Sequence, residues 1–185
     1  RIIMVIDILT LNESEVPLEN MMLYITSAGG QTLGKPGGRK TIVFMPGSPI
    51  NDCTSNIIKN MKIYPCEVRI GISMGEPVTE SNELFIDAIQ TANRFCDIAQ
   101  NGQVLVSSRV LQPGEQNNFA KVVPEIEMII LNAADENFLR QVNVAIHSLL
   151  SEQTFNIDIL SRQLGMSRSQ LYRKFKVLTG SSLNS

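Results

Sequence analysis

The chain has 185 residues, of which 43% are hydrophobic and 18% charged, and its net charge is −2 at pH 7. This composition is that of an ordinary globular protein, with room for a medium domain and a small one. No apolar run approaches the roughly 20 residues of a membrane span, and no signal-peptide pattern opens the chain, so we expect a cytoplasmic protein with no membrane partner. Arg1 is not a methionine and leads directly into an apolar stretch, which indicates a fragment.

The first 131 residues show the patterns of alternating strands and helices. Runs rich in β-branched residues predict strands at 1–9, 68–74 and 103–107. The first of these strands is predicted to end near Asp7. Helices are predicted at 18–26 and 55–61, and the spacing of apolar residues predicts a third at 84–99. The glycine-punctuated segment 29–44 predicts a β-hairpin whose second arm is 41–44. This order predicts an α+β domain over residues 1–131, with helices on one face of its sheet.

Cysteine and histidine give no sign of a catalytic or metal site. Cys53, Cys66 and Cys96 are scattered without the spacing of metal ligands, and we expect them to be reduced and partly buried. The single histidine, His147, lies among apolar residues in a predicted helix. A structural or surface role is expected for it.

Residues 156–180 predict two short helices around a tight turn. Asn156 and Asp158 are suited to cap the start of the first helix, and Gly165 can adopt the positive φ at which it ends. Ser167 is suited to cap the second helix. The apolar face of the first helix is predicted at Ile157, Leu160 and Leu164, and that of the second at Leu171, Phe175 and Leu178.

The outer face of the second helix combines basic and polar side chains, at Arg168, Ser169, Tyr172, Arg173 and Lys176. A helix with one apolar face and this mixture on the other suits the major groove of DNA. The alternative is a solvated helical hairpin whose lysines and arginines only maintain solubility.

The charge distribution favours the DNA-binding interpretation. From Thr154 to the end there are five basic residues and one acidic residue, a net charge of +4. Since the whole chain carries −2, residues 1–153 carry −6. A basic end on an acidic body is expected when one module meets phosphate and the other does not.

The segment LGMSRSQLYRKFKVLTGSS, at 164–182, resembles the first helix-turn-helix of AraC-type bacterial transcription regulators. A G-x-S-x-x-x-L-x-R-x-F-K-x-x-T-G pattern recurs in that family. It is matched here by Gly165, Ser167, Leu171, Arg173, Phe175, Lys176, Thr179 and Gly180. The preceding residues resemble the leading helix of the family, with Phe138, Leu139, Val142, Ala145, Ile146, Leu149 and Leu150 facing inward.

The AraC resemblance implies a small all-α DNA-binding module over residues 132–185. It implies base contacts from Ser169, Tyr172 and Arg173. Phosphate contacts are expected from Arg168, Lys174 and Lys176. Members of the family normally carry two such motifs, so the module is predicted to be truncated after its first motif.

Three pieces of the first region resemble class III nucleotide (adenylate/guanylate) cyclases, a ferredoxin-like sheet fold. They are RIIMVIDIL at 1–9, VRIGISMGEPV at 68–78 and AIQTANRFCDIAQNGQVLVSS at 88–108, in the order of the family. The first matches the opening strand, in which an aspartate, here Asp7, binds a metal. The resemblance implies an α+β cyclase-like domain ahead of the all-α module.

The same resemblance implies that this cyclase-like domain is degenerate. Aligning Phe44 with the conserved phenylalanine of the family hairpin puts Gly38 at the position of the second metal-binding aspartate. Gly34 falls near the purine-reading position, and Gln90 replaces an asparagine that orients the ribose. Arg94 falls on the transition-state arginine. Asp7 and Arg94 are therefore vestigial catalytic candidates, and no cofactor is expected, with Mg²⁺ or Mn²⁺ required only if the site is active.

Two functions remain open at this point. The first is a transcription regulator that binds DNA and uses its cyclase-like domain for dimerisation or ligand sensing, as a homodimer through residues 1–131 with a possible nucleotide effector. The alternative is an active adenylate/guanylate cyclase with a regulatory DNA-binding tail. A weaker third interpretation makes the front domain a nucleotide receptor that binds without turnover.

Overall fold

The computed structural model describes residues 1–10, 18–34, 39–75, 85–111, 126–151 and 156–180. The chain forms two compact units, Arg1–Ile130 and Leu131–Ser185. Within the described ranges, no helix has both the length and the apolar character needed to cross a bilayer.

In the described part of the first unit, six strands form a mixed sheet in the order β2-β3-β1-β4-β5-β6. The strands are β1 (Ile2–Thr10), β2 (Gln31–Leu33), β3 (Lys40–Phe44), β4 (Cys66–Met74), β5 (Gln103–Ser107) and β6 (Glu127–Leu131). The helices are α1 (Leu18–Ser27), α2 (Ile50–Met61) and α3 (Ile86–Ile98). Strand β1 pairs antiparallel with both β3 and β4, β2 pairs antiparallel with β3, and β4 pairs parallel with β5.

Helices cover both faces of this sheet, so the expectation of helices on one face was wrong. On β1, Met4 and Ile6 join the cluster formed with α1 and α2, whereas Ile3 and Val5 join the cluster formed with α3. Alternate strand residues point to opposite faces. Because β1 is apolar at consecutive positions, both of its faces must be covered to be removed from water.

A glycine brings α3 close to the sheet. Gly71 on β4 pairs with Val5 on β1. A Cβ atom at Gly71 would meet the carbonyl oxygen of Ala92 and lie 2.8 Å from the backbone nitrogen of Cys96. The missing side chain therefore allows the backbone of α3 to lie directly on β4.

Most predicted elements of the first unit are confirmed, with shifted ends. Strand β1 continues past Asp7 to Thr10, and α2 begins at Ile50, five residues before its predicted start at Ser55. The early start of α2 was missed because polar residues separate its buried Ile50 from its later apolar positions. Strand β6 was not predicted.

The second unit contains the helices α4 (Ala133–Ser151), α5 (Ile157–Gln163) and α6 (Arg168–Thr179). Its buried apolar residues are Leu131, Phe138, Leu139, Val142, Leu149, Leu160, Leu171 and Leu178. The predicted inward position of Leu150 was wrong, because its side chain is 56% exposed. Successive helical residues are rotated by about 100°, so burying Leu149 turns Leu150 away from the core. Ala145 and Ile146 are half-buried.

Candidate functional site

A network of charged side chains surrounds Asp7 on the face of the sheet that α3 covers. Nη2 of Arg39 donates to Oδ2 of Asp7 at 2.8 Å and lies 2.7 Å from Oδ1 of Asp97. Nη1 of Arg39 donates to the side-chain oxygen of Asn93 at 3.2 Å. One guanidinium therefore joins the start of β3, the strand β1 and the helix α3.

Local structure explains why these side chains meet. The β1–β3 register pairs Ile6 with Lys40, so its continuation by one residue places Arg39 opposite Asp7. On α3, Asn93 and Asp97 are four residues apart, and residues at that spacing lie on the same side of a helix. The register and the helical repeat together direct three polar side chains toward Arg39.

Burial makes this network more than a surface ion pair. The side chain of Asp7 is 15% exposed and that of Arg39 31%. Burial by itself would lower the pKa of Arg39, but the hydrogen bonds to Asp7 and Asp97 outweigh that effect and raise its pKa above the ordinary value. The guanidinium is thus held in its charged form, and it compensates a carboxylate that is largely removed from water.

This arrangement does not fit a divalent-cation site at Asp7. The Arg39 guanidinium already supplies the positive charge beside the carboxylate that the cyclase resemblance assigns to a metal. In the part of the chain that the structure describes, no three His, Cys, Asp or Glu side chains are grouped so that they could hold a metal ion. Gly38, at the position of the second metal ligand, lies outside the described residues.

The other vestigial candidate, Arg94, donates from Nη2 to Oε1 of Gln90 at 3.2 Å, one turn earlier on α3. The sequence placed Gln90 and Arg94 at functional positions of the cyclases, but it did not predict that their side chains contact each other. It also missed Arg39. The contact of Arg39 with Asp7 depends on the β1–β3 register, which the sequence alone does not give.

The three cysteines are free thiols, as expected, and Cys53 and Cys96 are buried. Burial raises the pKa of Cys53 and of Cys96 to about 12. Cys96 lies behind the charged network, where its thiol donates to the backbone oxygen of Arg69 at 3.3 Å. Both thiols are therefore protonated at neutral pH and unsuited to nucleophilic chemistry.

In the second unit, the predicted caps and turn are largely confirmed. Asn156 caps α5 through its side-chain oxygen, which accepts from the backbone nitrogen of Asp158 at 2.8 Å. Gly165 has φ of +63°. Ser167 caps α6 and forms a reciprocal capping box with Gln170. The two helices are thus joined by a connection whose backbone hydrogen bonds are locally satisfied.

Asp158 has a different role from the predicted cap. Its two carboxylate oxygens accept hydrogen bonds from Nε and Nη2 of Arg168, the first residue of α6. Because these bonds compensate the positive charge, they raise the pKa of Arg168. The predicted phosphate ligand Arg168 is therefore paired within the unit.

The remaining predicted DNA-contacting residues divide into two groups. Ser169, Arg173 and Lys176 are exposed, whereas Tyr172 and Lys174 are half-buried. Nζ of Lys174 lies 4.5 Å from the centroid of the Phe138 ring, a cation–π contact with α4. The buried side of α6 consists of Leu171, Leu178 and Thr179, and Phe175 is only half-buried.

No protein-family model matches this chain, and no curated protein matches it. Among solved structures, the chain is similar to an adenylate/guanylate cyclase/hydrolase from Silicibacter pomeroyi, with 24% identity and a TM-score of 0.45 over 66% of this chain and 82% of that one. It is also similar to the guanylyl cyclase Cya2, with 17% identity and a TM-score of 0.37 over 60% of this chain and 77% of that one. Likenesses this low decide neither family nor activity.

Proposed function

We propose that this protein is a sequence-specific DNA-binding transcription regulator of the AraC type. The proposal rests on the cap of α6 and on the residues that this helix buries and exposes. This helix is capped by Ser167, and it buries Leu171 and Leu178 while exposing Arg173 and Lys176. Neither of these two basic side chains has a hydrogen bond or an ion pair with another described residue. A capped helix with two unpaired cations on its outer face suits binding in the major groove of DNA.

In this proposal, α5, the turn at Gly165 and α6 form a helix-turn-helix, and α4 supports it. Phe138 on α4 is buried in the core of the unit and receives Lys174 on its ring. The recognition helix is therefore held by its apolar stripe and by this cation–π contact. Holding a helix rigidly lowers the entropy cost of docking it into a groove.

We assign the first unit a cyclase-like domain without cyclase chemistry. The ion pair between Arg39 and Asp7 supports this assignment, because nucleotide cyclisation would require metal ions at that carboxylate. We expect no cyclic product from ATP or GTP with Mg²⁺ or Mn²⁺ in a chromatographic assay of the intact protein. Product that disappears in Asp7→Ala would instead support the alternative of an active cyclase.

Dimerisation or ligand sensing is the role we propose for this first unit. Large apolar side chains are exposed at Leu23, Leu33, Met45 and Ile63, and they are available for burial in a homodimer through residues 1–131. Two copies would present two recognition helices, and linked binding to adjacent half-sites raises the effective concentration of the second. A nucleotide effector would act on this unit.

Binding of DNA by the intact protein is the decisive experiment. We expect fluorescence anisotropy to show binding of mixed-sequence duplexes that weakens between about 50 and 200 mM salt, because each phosphate contact releases about 0.9 counterion. Selection from a random library should then enrich one motif. Sedimentation of the same sample, with and without added nucleotides, measures the oligomeric state of the protein. Absence of binding at low salt would overturn the DNA-binding function.

A further inference from the structure

The ion pair between Asp158 and Arg168 joins the beginnings of two helices. Asp158 is the second residue of α5, and Arg168 is the first residue of α6. The guanidinium donates from Nε to one carboxylate oxygen and from Nη2 to the other. This bidentate geometry fixes both side chains more firmly than a single contact does.

The position of Arg168 is unfavourable without its partner. The amino-terminal end of a helix carries a partial positive charge, so a cation in the first turn of α6 is repelled, whereas the Asp158 anion in the first turn of α5 is attracted. The carboxylate of Asp158 offsets this repulsion. Arg162 does not compete with Arg168 for this carboxylate, because its Nε donates to the backbone oxygen of Asp158.

The pair also changes what α6 presents to DNA. Both side chains remain partly in water, at 56% exposure for Arg168 and 41% for Asp158. The Asp158 carboxylate occupies Nε and Nη2 of Arg168, and a phosphate approaching the guanidinium would meet the negative charge of that carboxylate. Arg173 and Lys176 carry no such restriction within the described part of the unit.

We propose that Asp158 withholds Arg168 from DNA phosphates and thereby limits the affinity of this unit for DNA of every sequence. Phosphate contacts add affinity for every sequence, whereas base contacts add affinity for one. Withholding one phosphate contact therefore lowers the affinity for all sequences by about the same factor and leaves base recognition by α6 in place. This inference rests on the proposed DNA-binding function and identifies a regulator of the same surface.

The test compares four proteins on a mixed-sequence duplex across a salt series: wild type, Asp158→Asn, Arg168→Ala and the double variant. Asp158→Asn removes the negative charge and preserves shape. We expect its affinity to rise roughly fivefold to tenfold at about 0.1 M salt, and its logarithmic salt slope to steepen by about 0.9, the release of one counterion. Arg168→Ala should leave the slope of the wild type unchanged. The double variant should return to the wild-type slope.

Asp135→Asn is the matched control, because Asp135 also lies in the first turn of a helix of this unit, and its loss changes the net charge equally. Its affinity should stay within about twofold of wild type, since Asp135 has no ion pair with Arg168 and its long-range effect on DNA is screened by salt. Binding by the wild type with no steepening in Asp158→Asn would overturn this inference alone. A shallower slope in Arg168→Ala would also overturn it, by showing that Arg168 already contacts phosphate. A wild type that binds no duplex would overturn the DNA-binding function itself.

Discussion

Replacing Arg39 by alanine is expected to lower the free energy of unfolding of the first unit by about 1.5–3 kcal/mol, the range for hydrogen bonds that involve charged groups. The substitution leaves the Asp7 carboxylate, at 15% exposure, without its opposite charge. A buried charge that loses its partner retains the cost of its removal from water. Urea unfolding followed by circular dichroism measures the change, since the chain has no tryptophan.

Three further variants separate the ion pair from general effects of losing an arginine. Arg109→Ala removes an exposed arginine from the same unit and should change the free energy of unfolding by less than about 0.5 kcal/mol. Arg39→Lys retains the charge but not the planar fork, so it should recover only part of the stability. Asp7→Asn in the Arg39→Ala background should also recover part, because it removes the unpaired charge. An Arg39→Ala protein as stable as wild type would show that the network contributes nothing to the fold.

Most of the fold was predictable because its elements are encoded locally. The consecutive apolar residues of β1 and the spacing of apolar residues in α3 are short-range patterns that survive into the structure. The consecutive apolar residues of β1 also indicate that both of its faces are covered. Which helix covers Ile3 and Val5 depends on long-range packing against α3, which no local pattern reports. Strand β6 was also missed, because the existence of an edge strand is decided by its neighbour rather than by its own sequence.

The candidate site shows the same division. Gly165 and Ser167 act through the backbone next to them, and their roles could be inferred from residue type alone. Arg39 and Asp158 act on side chains 32 and 10 positions away. Their partners become visible only when strand register or the packing of two helices is known. Sequence reasoning therefore identified Asp7 and Arg168 as charged candidates but could not show that each is already paired.

Arg173→Ala is expected to lower the preference of the protein for its selected DNA motif by about 1–3 kcal/mol, the discrimination that a bidentate base contact supplies. Arg173 is exposed on the first half of α6, and its planar guanidinium can pair with the O6 and N7 atoms of guanine. Lys176→Ala removes a point charge from the same face. It should weaken the selected motif and a scrambled duplex about equally and reduce the salt slope by about 0.9.

The measurement compares the dissociation constants of each variant for the selected motif and for its scrambled counterpart at one salt concentration. The ratio of the two dissociation constants is independent of the fraction of active protein, because inactive molecules lower both apparent affinities alike. Lys176→Ala serves as the matched control, since it changes the charge of the same helix by the same amount. If Arg173→Ala kept both the affinity and the ratio of wild type, α6 would not read bases through Arg173. An equal fall in both affinities would instead place Arg173 on a phosphate, and base recognition would then have to come from Ser169 or Tyr172.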